Sequence, residues 1–204
     1  MIIPEGIQHI DEQFFILINR KWANGFFDLI MPPVRDRLFW IFLYILIAGI
    51  IFWKFRLRGL WIILLLAATF GITDQLSSSV IKPAVGRIRP CNDEQFKDEV
   101  ILRISACGVG KSFTSSHAAN TFAFAVLLSL LFRARWKYIT PLAIFWAALV
   151  SYAQIYVGVH YPFDIIGGAL VGSMVSIIMY LLAKKFIFPK FMPELLQHKK
   201  AIIK

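Results

Sequence analysis

Five stretches of this chain, residues 38–53, 60–81, 118–132, 138–156 and 165–183, contain between them one charged residue, Asp74. A chain of 204 residues has no interior large enough to hide all five from water. Its 58% hydrophobic content and mean hydropathy of +0.68 lie well above the ~45–50% apolar residues of soluble domains. The bilayer is therefore the expected solvent. Each stretch approaches the ~20 residues that a helical crossing needs, the shorter ones with help from their flanks. Trp53, Trp61, Trp136, Tyr138 and Tyr156 fall near the ends of these stretches, where interfacial aromatics sit. In hydrocarbon a backbone must satisfy its own polar groups. The predicted fold is thus all-α: a polytopic membrane helical bundle of about five transmembrane helices.

Ahead of the first span, Ile7, Ile10, Phe14, Phe15, Leu17 and Ile18 recur at roughly helical spacing, with His9, Asp11, Glu12 and Gln13 between them. This pattern predicts an amphipathic helix lying in the interface. Gly25–Met31 is a second short apolar piece, expected to stop at Pro32-Pro33. The expected organisation is one membrane domain over 1–204. Residues 1–36 are the interfacial segment, 38–183 the transmembrane core with a polar loop at 82–115, and 184–204 a basic tail. Met1–Glu5 lacks the basic and apolar pattern of a cleaved signal peptide.

Charge sets the expected orientation. Twelve of the 22 Lys and Arg fall in the 54–59 loop, the 133–137 loop and the tail after Ala183, against one acid, Glu194. Cytoplasmic segments are the ones rich in Lys and Arg. The tail is therefore expected in the cytoplasm, and the N-terminus, the 82–115 loop and the segment around His160 outside; in a bacterium, this is an inner-membrane protein with its site facing the periplasm. The Lys-rich tail reads as an anchor to anionic headgroups rather than a nucleic-acid arm. Cys91 and Cys107 share the outer loop. In an oxidising compartment they are expected to form a disulfide, contributing ~3 kcal/mol in the chain-entropy model; the reverse orientation would leave two free thiols. With no CxxC, structural zinc is not expected.

The chemistry-bearing residues converge on the outer face. Lys82 and Arg89 follow the second span, Ser115, Ser116 and His117 precede the third, and His160 and Asp164 bracket the turn into the fifth. Two histidines, two cations and one carboxylate suit phosphoryl transfer. Cations neutralise phosphate oxygens in the transition state. One histidine can attack phosphorus while the other protonates the leaving oxygen, and the carboxylate fixes the nucleophile's tautomer. Each residue alone also fits an interfacial role, and spacing alone leaves an enzyme and an anion-binding transporter both open.

At these residues the chain resembles the type 2 phosphatidic acid phosphatase (PAP2) family, whose motifs are K-x6-R-P, P-S-G-H and S-R-x5-H-x3-D. Lys82, Arg89 and Pro90 match the first motif. Ser115 and His117 match the second, with Thr114 and Ser116 in place of its Pro and Gly. His160 and Asp164 match the third. The resemblance covers roughly residues 60–180. It implies a membrane lipid phosphatase that uses no metal or other cofactor. His160 would be the nucleophile, Asp164 its orienting carboxylate and His117 the general acid. Lys82, Arg89 and Ser115, with Ser116 and Gln154 beside them, would hold the phosphate.

The third motif's Arg is Gln154 here, preceded by Ala153. That exchange removes a charged, bidentate contact of a kind worth ~2.7–4 kcal/mol in a transition state. Arg87, Arg103 and Lys111 are the expected substitutes. Asp74 is expected to support the site from within the second span, and Gly167, Gly168, Gly172 and Ser173 to allow close helix packing. The expected substrate is a lipid phosphate or diphosphate: polyprenyl diphosphate, phosphatidylglycerol phosphate, phosphatidic acid or a lipid A phosphate. A lipid-to-lipid phosphotransferase and an inactive anionic-lipid binder are the alternatives.

Overall fold

The computed structural model describes residues 4–195, and among these the chain is helical with no strand. Residues 196–204, with Lys199, Lys200 and Lys204 of the predicted anchor, lie outside the described residues. Each of the five apolar stretches falls on a helix. Helix α3 (Ile41–Phe55) and α4 (Gly59–Gln75) form a hairpin that turns at Arg56, whose φ of 55° breaks the helix. They pack so closely that a Cβ on Gly59 would stand 2.8 Å from the Ile51 carbonyl oxygen. A π turn (Leu76–Ile81) carries α4 into the short α5 (Lys82–Val85). After the loop come α6 (Ser116–Phe132), α7 (Ile139–Tyr156), α8 (Pro162–Phe186) and the short α9 (Phe188–Phe191). The stretches Ile41–Val85, Ile139–Tyr156 and Pro162–Phe186 are long and apolar enough to cross a membrane, and α6 is a shorter apolar helix. Phe42, Leu64, Leu142, Leu170 and Leu181 point outward and are exposed; these are faces that lipid covers in an integral membrane protein.

Helix α6 is central, packed against α4, α7 and α8. Its contact with α8 depends on missing side chains. A Cβ on Gly168 would lie 2.6 Å from the Ser115 carbonyl oxygen, and one on Gly172 only 2.0 Å from that of Ala119. Four residues on, Ser176 Oγ donates to the Ala123 carbonyl at 2.5 Å. The close face therefore runs through Gly168, Gly172 and Ser176, one turn beyond the expected Ser173, as small residues every fourth position allow.

Two N-terminal helices lie over the end of the bundle that holds the long loop. Helix α1 (Glu5–Ile16) continues through a π turn to Lys21. It is amphipathic, but its apolar residues Ile7, Ile10 and Phe14 are exposed while Asp11, Phe15 and Asn19, four residues apart, are fully buried. Helix α2 (Gly25–Arg35) corrects the expected stop at Met31, since it runs through Pro32 and Pro33 for a further turn. Proline forfeits one helical hydrogen bond and normally breaks the helix. Here the end is held from outside. Met31 and Val34 pack on Val150, Ala153 and Tyr156. Trp40 Nε1 donates to the Val34 carbonyl at 2.7 Å, and Gln154 Nε2 to that of Arg35 at 3.2 Å. Asn24 caps the start, accepting from Phe27 N at 3.0 Å.

The basic loops gather at the opposite end. Lys54 lies over the Trp136 ring and Arg135 over that of Phe55, while Phe188 and Met192 complete a cluster with Phe55 and Phe132. In the long loop a disulfide joins Cys91 to Cys107.

Overpacking a filled core costs ~1–3 kcal/mol. Gly172→Ala should therefore lower the melting temperature of the detergent-solubilised protein. Gly71→Ala, whose new methyl meets nothing within 4 Å, should not. Equal melting of the two variants would show that α6 and α8 can separate freely.

Candidate active site

The site lies where the α7–α8 turn, the long loop and the start of α6 meet. Gly158, at φ +96°, makes that turn possible. The left-handed backbone suits glycine, and a Cβ there would come within 2.9 Å of Val100. The turn delivers His160, which is 2% exposed, to the first turn of α8, where Asp164 is fully buried. His160 Nδ1 is 3.3 Å from Asp164 Oδ2 and 3.3 Å from Ser112 Oγ. With a carboxylate against Nδ1, that nitrogen carries the ring proton and Nε2 keeps its lone pair. Arg89 Nη1 lies 3.3 Å from Nε2. Burial pulls the His160 pKa down to about 4, with the Asp164 hydrogen bond and charge opposing. At neutral pH the ring is therefore an uncharged base with its free nitrogen beside a cation.

Asp164 is heavily restrained. Its Oδ2 accepts from Ser112 Oγ at 2.5 Å and from Tyr161 N at 2.9 Å. Its Oδ1 pairs with Arg87 Nη1 at 2.9 Å. Arg87 in turn pairs through Nη2 with the fully buried Asp11 at 2.6 Å, and its guanidinium lies 4.0 Å from the centre of the Tyr161 ring. Asp11 Oδ1 also accepts from Phe163 N at 2.9 Å. A continuous ionic line thus runs from α1 through the loop to the histidine. Asp11 and Ser112 were not picked out by sequence reasoning; the signal for Asp11 was its place with Phe15 and Asn19 on one side of α1.

The other sequence-selected residues fall around this core. Lys82 Nζ donates to the carbonyls of Lys111 at 2.8 Å and Ser112 at 3.3 Å. Arg89 reaches the carbonyls of Gly110 and Val159. These two cations brace the 110–112 loop against the His160 turn. Ser115 N donates to the Asp164 carbonyl at 3.0 Å, and the Ser115 hydroxyl caps α6. The first N–H groups of that helix, and its positive dipole end, therefore open toward the site, an arrangement suited to an anion. Ser116 Oγ bonds Ser77 Oγ at 2.9 Å, which ties α6 to the π turn after α4.

His117 lines a chamber with Arg35, Arg37, Asp74, Ser116 and Asn120. Asp74 Oδ1 accepts from Asn120 Nδ2 at 2.8 Å, a hydrogen bond that joins the second span to α6 one turn beyond His117. An apolar groove between α3 and α4, lined by Leu38, Ile47, Ile63 and Leu66, shares Arg37, Tyr44 and Phe70 with this chamber.

Gln154 is buried, with its amide turned to the Arg35 carbonyl. The three expected substitutes for the missing cation are engaged elsewhere or exposed. Arg87 is held by two carboxylates. Arg103 pairs with Asp28 and donates to the Tyr156 carbonyl. Lys111 is exposed and contributes its carbonyl to Lys82. Among the described residues no three His, Cys, Asp or Glu side chains gather as metal ligands.

Known proteins resemble this chain in sequence and in fold. The chain is 34% identical over 183 residues to a lipid A 4'-phosphatase of Bacteroides thetaiotaomicron, covering 89% of this chain and 80% of that one. It is 32% identical to a lipid A 4'-phosphatase of Porphyromonas gingivalis, over 86% and 67%. The fold matches a transmembrane PAP2 type phosphatidylglycerolphosphate phosphatase from Bacillus subtilis with a TM-score of 0.67 at 19% identity, over 89% and 88%. The PAP2 superfamily model matches residues 58–188. That range takes in the loop, the start of α6 and the α7–α8 turn, and so every residue of the three motifs; the chain belongs to the PAP2 superfamily.

Proposed function

We propose that the protein hydrolyses a phosphate monoester or diphosphate on a membrane lipid through a phosphohistidine. The observation that carries this reading is the orientation of His160. Its Nδ1 faces Asp164 and Ser112, and its Nε2 lies beside Arg89. In the first step Nε2 bonds to phosphorus as the P–O bond to the leaving group breaks, and His117 gives that oxygen a proton. In the second, water attacks phosphorus, His117 takes a proton back, the N–P bond breaks and inorganic phosphate departs. Arg89, Lys82 and the N–H groups at the start of α6 hold the phosphate oxygens as charge builds. Asp164 keeps the ring tautomer and stabilises the positive ring that forms.

The apolar groove that meets the chamber supports a lipid substrate, with its chain against α3 and α4 and its headgroup beside His117. The relatives named above make a lipid A-type sugar phosphate the first substrate to try. The clustering of both basic loops at the far end supports a site facing the periplasm and a cytoplasmic C-terminus.

Purified protein should release phosphate from at least one of a panel of lipid mono- and diphosphates with EDTA present, and His160→Ala should abolish release. Folded protein that releases none, with or without an acceptor lipid, would make this a binding protein. Phosphate appearing on the acceptor lipid instead would make it a phosphotransferase.

The pH profile follows from the histidine. Its active form is the unprotonated one, and its pKa lies near 4. In His117→Ala, which removes the general acid's own titration, with a substrate whose leaving group needs no proton and after correction for that substrate's ionisation, kcat/KM should stay level from pH 7 to 5 and fall only toward pH 4. An acid limb centred near 6.5 would mean that His160 titrates as if in water. For orientation, a reporter active only in the cytoplasm should work when fused after Lys204; a well-expressed but silent fusion would reverse the assignment.

A further inference from the structure

The site lacks one cation that its family motif supplies, and the chamber beside it holds a guanidinium, that of Arg35, whose buried Nε has no hydrogen-bond partner. Gln154 stands at the motif's Arg position. Its side chain is 1% exposed, and its amide donates to the backbone carbonyl of Arg35 at 3.2 Å. The residue that replaced the cation therefore fixes the backbone of another cation. Arg35 ends α2, beyond two prolines, on a turn held by Trp40 and Gln154. The family match begins only at residue 58, so this arginine comes from a segment outside it.

Arg35 is partly buried and lines the same chamber as His117 and Ser116. Its Nε is buried with no hydrogen-bond partner, and among the described residues no carboxylate lies within ion-pair distance of it. Buried donors are normally satisfied, and one left without a partner is costly. A guanidinium beside a helix N-terminus, with its donors unused, matches a phosphate's oxygens in charge and in planar fork geometry. Arg37, on the same chamber, is exposed where Arg35 is partly buried; of the remaining cations nearby, Arg87 is held by two carboxylates, Arg103 by Asp28, and Lys82 and Arg89 reach backbone carbonyls.

We propose that Arg35 is a phosphate-binding residue that takes over the third motif's arginine role, and that Gln154 is its positioning residue. The inference rests on the phosphatase reading above. It assigns the substrate's phosphate a clamp made partly by the N-terminal helices, which must be docked for the site to be complete.

The test uses full-length protein in detergent. Arg35→Ala should lower kcat/KM by about 100-fold, on the scale of losing one transition-state donor. It should also weaken inhibition by orthovanadate while leaving the melting temperature near wild type. Arg35→Lys should recover part of the loss. The decisive variant is Arg35→Ala combined with Gln154→Arg, which returns the cation to its motif position and should regain at least tenfold over Arg35→Ala alone. A merely structural role for Gln154 would give no such rescue. If wild type releases phosphate and Arg35→Ala matches it in kcat/KM and vanadate inhibition, Arg35 is not a phosphate ligand and the phosphatase reading stands. If wild type releases none, the phosphatase reading fails on its own. Protection against thermal unfolding by vanadate then decides the clamp: it should be present in wild type and absent in Arg35→Ala, and equal protection of both overturns it.

Discussion

A carboxylate removed wholly from water stays ionised only if the protein supplies its counter-charge and fills its lone pairs. Asp164 meets both needs, with Arg87 on one oxygen and Ser112 and the Tyr161 amide on the other. Arg87 is itself shared with Asp11, so the two carboxylates stand in line with one cation between them. Removing one member of a buried pair typically costs about 3–5 kcal/mol, because the survivor is left charged and unsolvated. The geometry of His160 therefore depends on α1, a helix that carries neither His160 nor His117. The remaining parts of the site depend on it too. Ser112 is placed by its own N–H on the Arg87 carbonyl, and the loop that carries Ser112 is the loop that Lys82 and Arg89 brace.

The glycine face of α8 does for the backbone what this ionic line does for the side chains. It brings α8 close enough to α6 for the Ser115 amide to reach the Asp164 carbonyl. The anion-attracting end of one helix and the histidine turn ahead of the other are thereby held in register. A wider helix spacing would leave both motifs intact in sequence and separate them in space.

Much of this was legible in the residues. The apolar stretches located the helices, and the spacing of Lys82, Arg89, Ser115, His117, His160 and Asp164 picked out groups that the fold brings to one end. What escaped was set by tertiary contact. Pro32 and Pro33 read as a stop, yet Trp40 and Gln154 reach across to the carbonyls that a broken helix would leave bare. Asp11 sat among the polar residues of an amphipathic helix and read as surface; its partner Arg87 is 76 positions away and only the fold shows the pair. For the same reason Arg87 was put forward as a free cation when it is the most constrained one. Gln154 read as a loss, and its hydrogen bond to the Arg35 backbone, 119 positions away, could not be seen in local pattern.

The Asp11–Phe163 hydrogen bond spans 152 positions of chain, and so bears on time as well as space. A ribosome that has made α1 must still make six further helices before Phe163 exists. Contacts this distant in sequence form late, after the loop-closure entropy of everything between them has been met. No nascent fragment of this chain that stops short of α8 can hold an aligned histidine. The chemistry is withheld until the last long helix is in place and the first one folds down upon it.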